Sequence, residues 1–164
     1  MFRDLLRLLR RLKKFFALSL WEQRLFLEAF CLTGVVRLTV LLLPFRWLAP
    51  VLGKHMRESS MQEDMVKLEA ARRVGRVVET VGRYTPWESK CLVQAIVGKI
   101  MLRQRGIANT LYLGVGRDAE KGFVAHAWLR CGETIITGGQ SRDRFTMVGK
   151  FADDGGYDEA RGRR

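Results

Sequence analysis

The chain has 164 residues, of which 48% are hydrophobic, so it is long enough to bury one core of ordinary size. Its 29 Lys and Arg against 17 Asp and Glu give a formal net charge of +12, which favours an anionic partner such as nucleic acid, anionic lipid or an acidic peptide. This composition excludes a disordered chain, and we expect one domain with a helical addition.

The first predicted element is a basic helix near the N-terminus. Leucine and phenylalanine recur at three- and four-residue spacing in residues 1–17, with Arg and Lys between them. These basic residues interrupt any stretch that could serve as a signal-peptide core. This segment is too short and too basic to add much to a core, so we interpret it as an interaction surface.

The second element is an apolar helix that starts after Ser19. Ser19 and Glu22 have the spacing of a capping box, and the apolar stretch runs over residues 25–43 until Pro44 ends it. The stretch is long enough to span a membrane, but Arg24, Glu28 and Arg37 interrupt it. Since Arg37 near the middle would cost about 2.5–3.5 kcal/mol on insertion, we predict a helix that buries its apolar face in the protein, and we do not expect membrane contact.

A short amphipathic helix or turn is predicted for residues 45–52, before Gly53. Two interpretations of the helices after Ser19 stay open: a docking surface for a partner, or a cap packed on the core. Polar residues cluster over 54–64, which places the internal boundary there. We therefore divide the chain into a helical region, 1–56, and a second domain, 57–164, with a flexible tail from about 153.

The second domain is predicted to start with two helices. An apolar period over residues 65–81 predicts the first, and residues 91–105 form the second, with Gly106 as its C-cap. The pattern of the second helix divides its side chains into two sets. Leu92, Ala95, Ile96, Ile100 and Met101 are predicted to point inward, and Lys99, Arg103 and Arg105 outward.

Strands follow the helices. Residues 110–115, 123–129 and 133–137 have β-branched and aromatic composition, and Cys131-Gly132 predicts a tight hairpin between the last two. Helices followed by an antiparallel sheet indicate an α+β fold. In this fold Cys91 lies at the start of a helix and His126 lies on a strand.

These two residues are the candidate catalytic pair. The backbone N–H groups at a helix N-terminus lower the pKa of a thiol and can hold an oxyanion, and a nearby imidazole can move the proton. The alternative is structural: a cysteine at a helix start is often only a small buried residue, and a histidine between alanines can be a core residue. The three cysteines, Cys31, Cys91 and Cys131, have neither disulfide nor zinc spacing, which fits a reducing cytoplasm.

The surroundings of the pair resemble a known family. Pro86-Trp87-x-x-x-Cys91-Leu92-x-Gln94-Ala95, Leu102-x-x-Arg105-Gly106-Ile107, Leu113-Gly114-Val115, Phe123-x-Ala125-His126-Ala127-Trp128-Leu129 and Thr137-Gly138-Gly139 occur in order over residues 65–151. This set is similar to the leader peptidases of lasso-peptide biosynthesis, the B proteins of the transglutaminase-like cysteine protease superfamily. The resemblance implies a papain-like core with the Cys helix packed on the His strand.

The resemblance also implies a reaction and its partners. Cys91 would be the nucleophile and His126 the general base and acid in removing the leader from a ribosomally made precursor peptide, with no cofactor and no metal. The N-terminal half, including Leu42-Leu43-Pro44-Phe45-Arg46, resembles the stand-alone form, which works with a separate leader-recognition protein and an ATP-dependent macrolactam cyclase. No recognition domain fits before residue 65, so we expect this form.

Other site residues are less determined. Family members commonly carry an acidic residue where Ile136-Thr137-Gly138 stands here, so the third member of the triad is open: Asp143, Glu133, the Thr137 hydroxyl or a backbone carbonyl. Trp87 can wall the cleft or help bind the oxyanion, and Gln94 lies one turn beyond Cys91. Trp128 is predicted to pack in the core and to share the face of His126 only if a bulge intervenes.

Two other classes of function remain open. A transglutaminase-like acyl- or amidotransferase would use the same Cys91 and His126 but pass the acyl group to an amine. A non-catalytic basic helical module would bind nucleic acid or membrane. Nothing matches a nucleic-acid motif, and aromatic residues do not alternate with the basic ones, so we expect no nucleic-acid partner.

Overall fold

The computed structural model describes residues 16–118, 120, 122–140 and 142–155. The basic helix predicted for residues 1–17 lies almost entirely outside these residues, and so does most of the predicted C-terminal tail.

Helix α1, Leu20–Leu42, begins with the predicted capping box. The Ser19 hydroxyl accepts a hydrogen bond from the Glu22 N–H at 3.3 Å, and the Glu22 carboxylate accepts from the Ser19 N–H at 3.1 Å. The helix ends before Pro44, and a short helix α2, Phe45–Leu48, continues into a 3₁₀ turn, Ala49–Leu52. These start and stop signals are confirmed.

Two further helices precede the sheet. Helix α3, Met65–Gly82, is capped by Asp64, whose Oδ1 accepts from the N–H groups of Val66 and Lys67 at 2.8 and 3.3 Å. Helix α4 is Cys91–Gln104, and Gly106 follows it with a φ of +63°, which glycine adopts without strain. Both helices start and end within two residues of the predicted positions.

Five antiparallel strands form one sheet in the order β1-β5-β2-β3-β4. They are β1 Lys54–His55, β2 Asn109–Asp118, β3 Gly122–Cys131, β4 Thr134–Thr137 and β5 Thr146–Asp153. The predicted strands β2 to β4 are confirmed. Strands β1 and β5 were not predicted, because β1 has only two residues and β5 contains Gly149 and Lys150, which break its apolar alternation.

Helices α3 and α4 pack on the sheet and α1 packs on these two helices, so the predicted α+β arrangement is confirmed. Leu129, Leu111 and Phe151 are paired across three strands and belong to the core shared with the helices. Helix α4 approaches closely because Gly98 has no side chain: a Cβ there would lie 2.9 Å from Leu129 Cδ2.

Lys99 was predicted to point outward, and this is wrong. Its side chain is 1% exposed, and Nζ donates to Asn109 Oδ1 and to the Phe151 carbonyl, both at 3.0 Å. An ion pair with Asp153 at 2.8 Å compensates the charge. The four-carbon stem packs under α4 and carries the ammonium to acceptors on β2 and β5, which a pattern based on residue type cannot show.

Helix α1 buries less of its apolar surface than predicted. One stripe, formed by Leu25, Ala29, Thr33 and Val36, is buried, whereas other large apolar side chains of the helix are exposed. Among the described residues, α1 is long enough and apolar enough to cross a membrane, by length and composition alone. Two of its charged residues bind the rest of the domain: Glu28 pairs with Arg105 at 2.6 Å and Arg37 with Glu88 at 3.2 Å.

Candidate active site

Cys91 is the first residue of α4 and is partly buried. The residue before it, Lys90, gives no side-chain cap to the helix, and its carbonyl accepts from the Gln94 N–H at 3.1 Å. The N–H groups of the first turn of an uncapped helix point outward with partial positive charge. The thiol therefore lies beside donors that can stabilise a thiolate or an oxyanion.

Helix α4 runs in the same direction as β3. Lys99 contacts Phe151 and Arg103 binds Asp153, so α4 follows β5, and β5 is parallel to β3 because both are antiparallel to β2. Gly98 touches Leu129, and Cys91 lies seven residues earlier, about 10 Å along the helix. The same distance covers about three residues of a strand. Cys91 is thus placed at the level of His126.

The tautomer of His126 follows from its one hydrogen bond in the described part of the chain. Nε2 lies 2.8 Å from the carbonyl oxygen of Gly138. Because a carbonyl oxygen only accepts, Nε2 carries the proton, and in the neutral ring Nδ1 is then the basic nitrogen. Gly138 has a φ of +70°, and a Cβ there would lie 3.1 Å from Trp128 Cα, so glycine permits this approach.

Aromatic rings hold the imidazole. The His126 ring stacks on Phe145 at 4.9 Å and on Trp128 at 6.0 Å between centroids, and Trp128 stacks on Tyr112 at 5.4 Å. The prediction that Trp128 needs a bulge to share the face of His126 is wrong. Residues two apart on a strand point the same way, and the β2–β3 register is continuous.

Pairing and alternation place His126 on the sheet face opposite Leu129 and the helices. Strand β4 pairs only with the Leu129–Cys131 end of β3, so no strand of the described chain covers the β3 edge beside His126 on that side. No hydrogen bond joins Cys91 to His126 within the residues described. The two groups share a level along the sheet but not a face, and the loop residue Gly138 lies against β3 here, where a Cβ on it would be 3.1 Å from Trp128 Cα.

The group that accepts from His126 Nε2 is the Gly138 carbonyl, and not a side-chain candidate for the third triad member. Asp143 lies in the 3₁₀ turn Arg142–Arg144, where its side chain is 92% exposed and pairs with Arg142 at 3.4 Å. The Thr137 hydroxyl is buried and has no hydrogen-bond partner in the described structure. Neither side chain orients His126. Sequence reasoning could not choose the carbonyl, because every residue has one.

The loop before Cys91 is fixed by α1 and by α4 itself. Trp87 packs on Phe30 at 5.1 Å and against Gly34, where a Cβ would lie 3.2 Å from the indole ring. Gln94 Nε2 donates to the Ser89 carbonyl at 2.7 Å. The Trp87 Nε1 atom is buried without a partner among the described residues.

The other two thiols differ from Cys91 in their surroundings. Cys131 is buried in the core, and burial raises its pKa to about 11, which keeps it protonated and unreactive. Cys31 is exposed on α1. The described residues contain no group of three or more His, Cys, Asp or Glu side chains that could hold a metal ion.

The family model described as the transglutaminase-like superfamily matches residues 39–150, which include Cys91, His126 and Gly138. Comparison with curated proteins and with solved structures gave no significant match. Proteins of this superfamily are generally cysteine proteases or acyl transferases, and the observed helices and antiparallel sheet agree with their papain-like core. The chain therefore belongs to the transglutaminase-like superfamily.

Proposed function

We propose that this protein is the stand-alone leader peptidase of a lasso-peptide pathway, a cytoplasmic cysteine endopeptidase. The observation that carries the proposal is the pair of environments at the site. Cys91 starts an uncapped helix, and His126 has its Nε2 proton held by Gly138. Family membership and the ordered motifs around both residues support the same chemistry.

In the proposed mechanism His126 Nδ1 takes the proton of the Cys91 thiol, which requires the two groups to approach each other when the substrate binds. Catalytic hydrogen bonds often tighten only when substrate is bound. The thiolate attacks the scissile carbonyl at the leader–core junction, and the first-turn N–H groups of α4 hold the oxyanion.

The second half of the reaction returns the enzyme to its starting state. His126 gives its proton to the leaving amine, which releases the core peptide and leaves the leader as a thioester on Cys91. Water then attacks the thioester while Nδ1 accepts its proton, and the leader is released as a free acid. The core peptide passes to the ATP-dependent cyclase.

The test is cleavage of the precursor peptide with and without the separate recognition protein. We expect slow, unselective cleavage by this chain alone and fast cleavage at one bond when the recognition protein is present, because it supplies the leader-binding surface. Equal rates with and without that protein would contradict the proposal.

The superfamily match also supports a second candidate, an acyl transferase that uses the same two residues. The two reactions differ in the mass of the acyl product. Hydrolysis adds water, whereas transfer adds the amine that replaces it. Mass spectrometry of the leader fragment in the presence of an added amine separates them, and an amine adduct as the main product would favour the transferase.

A further inference from the structure

One long face of α1 is apolar and open to solvent. Leu27, Cys31, Val35, Leu38 and Leu42 follow each other at three- and four-residue spacing, so they form one stripe, and all five are exposed. The four aliphatic side chains are between 55% and 70% exposed. Soluble monomers rarely show an apolar surface that continues over about four helical turns. We call this stripe the open face.

The rest of α1 is attached to the domain. Its opposite stripe is buried, and the Glu28–Arg105 and Arg37–Glu88 pairs hold its flanks against α4 and the loop before Cys91. A helix held in this way cannot cross a bilayer while the domain is folded. It can only present the open face to a surface.

The segment of sequence that contains the open face is basic. Residues 1–56 contain ten Lys and Arg and three Asp and Glu. This third of the chain therefore carries seven of its twelve net positive charges. Trp47, at 64% exposure, follows the end of the stripe, and Trp side chains favour the membrane interface. Apolar and aromatic contacts together with basic residues are typical of binding to anionic lipid.

We propose that the open face binds an anionic membrane surface, with α1 lying parallel to the bilayer plane and the rest of the domain on the aqueous side. This proposal does not depend on the reaction that Cys91 performs. In this arrangement the loop before Cys91 packs against the helix that contacts lipid, through the Trp87–Phe30 and Glu88–Arg37 contacts.

The test uses the full chain with vesicles of phosphatidylcholine alone or with about 30% phosphatidylglycerol. We expect co-sedimentation with the anionic vesicles, weakened by salt, and at least about tenfold weaker partition for L27E/L38E. The matched control is V66E/F123E, which also replaces two exposed apolar residues with Glu. Val66 and Phe123 are 78% and 84% exposed, and both lie outside the open face. The control is expected to bind like wild type.

A second measurement reports on the open face itself. Cys31 of a Cys91→Ser variant can be labelled with an environment-sensitive fluorophore, because Cys131 is buried and protonated. We expect a blue shift when anionic vesicles are added. The proposal is overturned if wild type fails to bind, if L27E/L38E binds as well as the control, or if light scattering shows that the open face instead joins two copies of the chain.

Discussion

At the scale of single residues, the Gly138 carbonyl is the group that sets the chemistry of His126. A carbonyl fixes the tautomer by accepting from Nε2, as an acidic side chain would, but it adds no full negative charge to stabilise the imidazolium. In the proposed mechanism the pair is thus a Cys/His dyad oriented by the backbone. Asp143 takes no part in it, since its carboxylate faces solvent.

Gly138→Ala tests this orientation. The new Cβ would meet the backbone of Trp128, and a φ of +70° strains alanine, so the carbonyl should move away from His126. We expect kcat to fall by at least about tenfold, with a changed pH profile, because the wrong tautomer becomes available. Gly149→Ala is the matched control, since its Cβ would make only ordinary contacts at 3.9 Å. A folded Gly138→Ala enzyme with the activity and pH profile of the control would refute the role.

Asp143→Asn makes the complementary prediction. Because Asp143 is exposed and contacts only Arg142 among the groups described, kcat and KM should stay within about twofold of wild type. Steady-state kinetics of leader release measure this, and a loss of activity comparable to that of His126→Ala would restore Asp143 as the third member.

Lys99 predicts a pH dependence of stability. Burial lowers its pKa from 10.5 to about 8, so between these values the unfolded chain binds more protons than the folded one, and the Lys99 contribution to the free energy of unfolding rises with pH. Relative to Lys99→Met, wild type should gain about 1 kcal/mol between pH 8 and pH 9. Urea unfolding at both pH values measures this.

Cys131 acts in the opposite direction but equally in both variants, so it cancels in this difference. Its pKa is raised from 9.0 to about 11 by burial, so ionisation of this thiol in the unfolded chain lowers stability above pH 9. A difference between wild type and Lys99→Met that stays constant or falls from pH 8 to pH 9 would contradict the assignment.

At the scale of elements, α1 supports the site as well as the core. Its residues Phe30, Gly34 and Arg37 contact the loop that leads into Cys91. Two of the three charged residues that argue against a membrane span, Glu28 and Arg37, bind the rest of the domain. The sequence contains the charges but not their partners, which are 51 and 77 residues away along the chain.

Phe30→Ala tests the support given by α1. Loss of the ring leaves Trp87 without its aromatic contact, so we expect kcat for leader release to fall several-fold with a smaller change in melting temperature. Leu38→Ala is the control, because Leu38 is 57% exposed on the same helix. Equal kcat for both variants would show that α1 does not position the loop.

At the scale of the whole molecule, the sequence predicted features that depend on neighbouring residues but not features that depend on residues far apart in the chain. The Ser19 capping box, the Met65–Gly82 and Cys91–Gln104 helices and the β3–β4 hairpin follow from caps, periodicity and turn residues. Strand β5, the buried Lys99 and the Gly138 carbonyl depend on which elements pair in space. The sequence therefore predicted which elements carry Cys91 and His126 but not the group that accepts from His126 Nε2.

The net charge of +12 makes a prediction about association with the substrate complex. If the leader or its recognition protein is acidic, long-range attraction raises the association rate and salt screens it. Between about 0.05 and 0.3 M NaCl we expect KM to rise several-fold while kcat stays constant. A KM that is independent of salt would show that the charge serves another purpose.

The central claim is that Cys91 and His126 perform thiol catalysis. Its most direct test is the single-turnover rate of leader release from the precursor, measured with the recognition protein present, for wild type, Cys91→Ala, His126→Ala and Cys31→Ala. We predict losses of about a thousandfold or more for the Cys91 and His126 variants. Cys31→Ala should match wild type, because Cys31 lies on α1 away from the site. Full cleavage by Cys91→Ala would contradict the account.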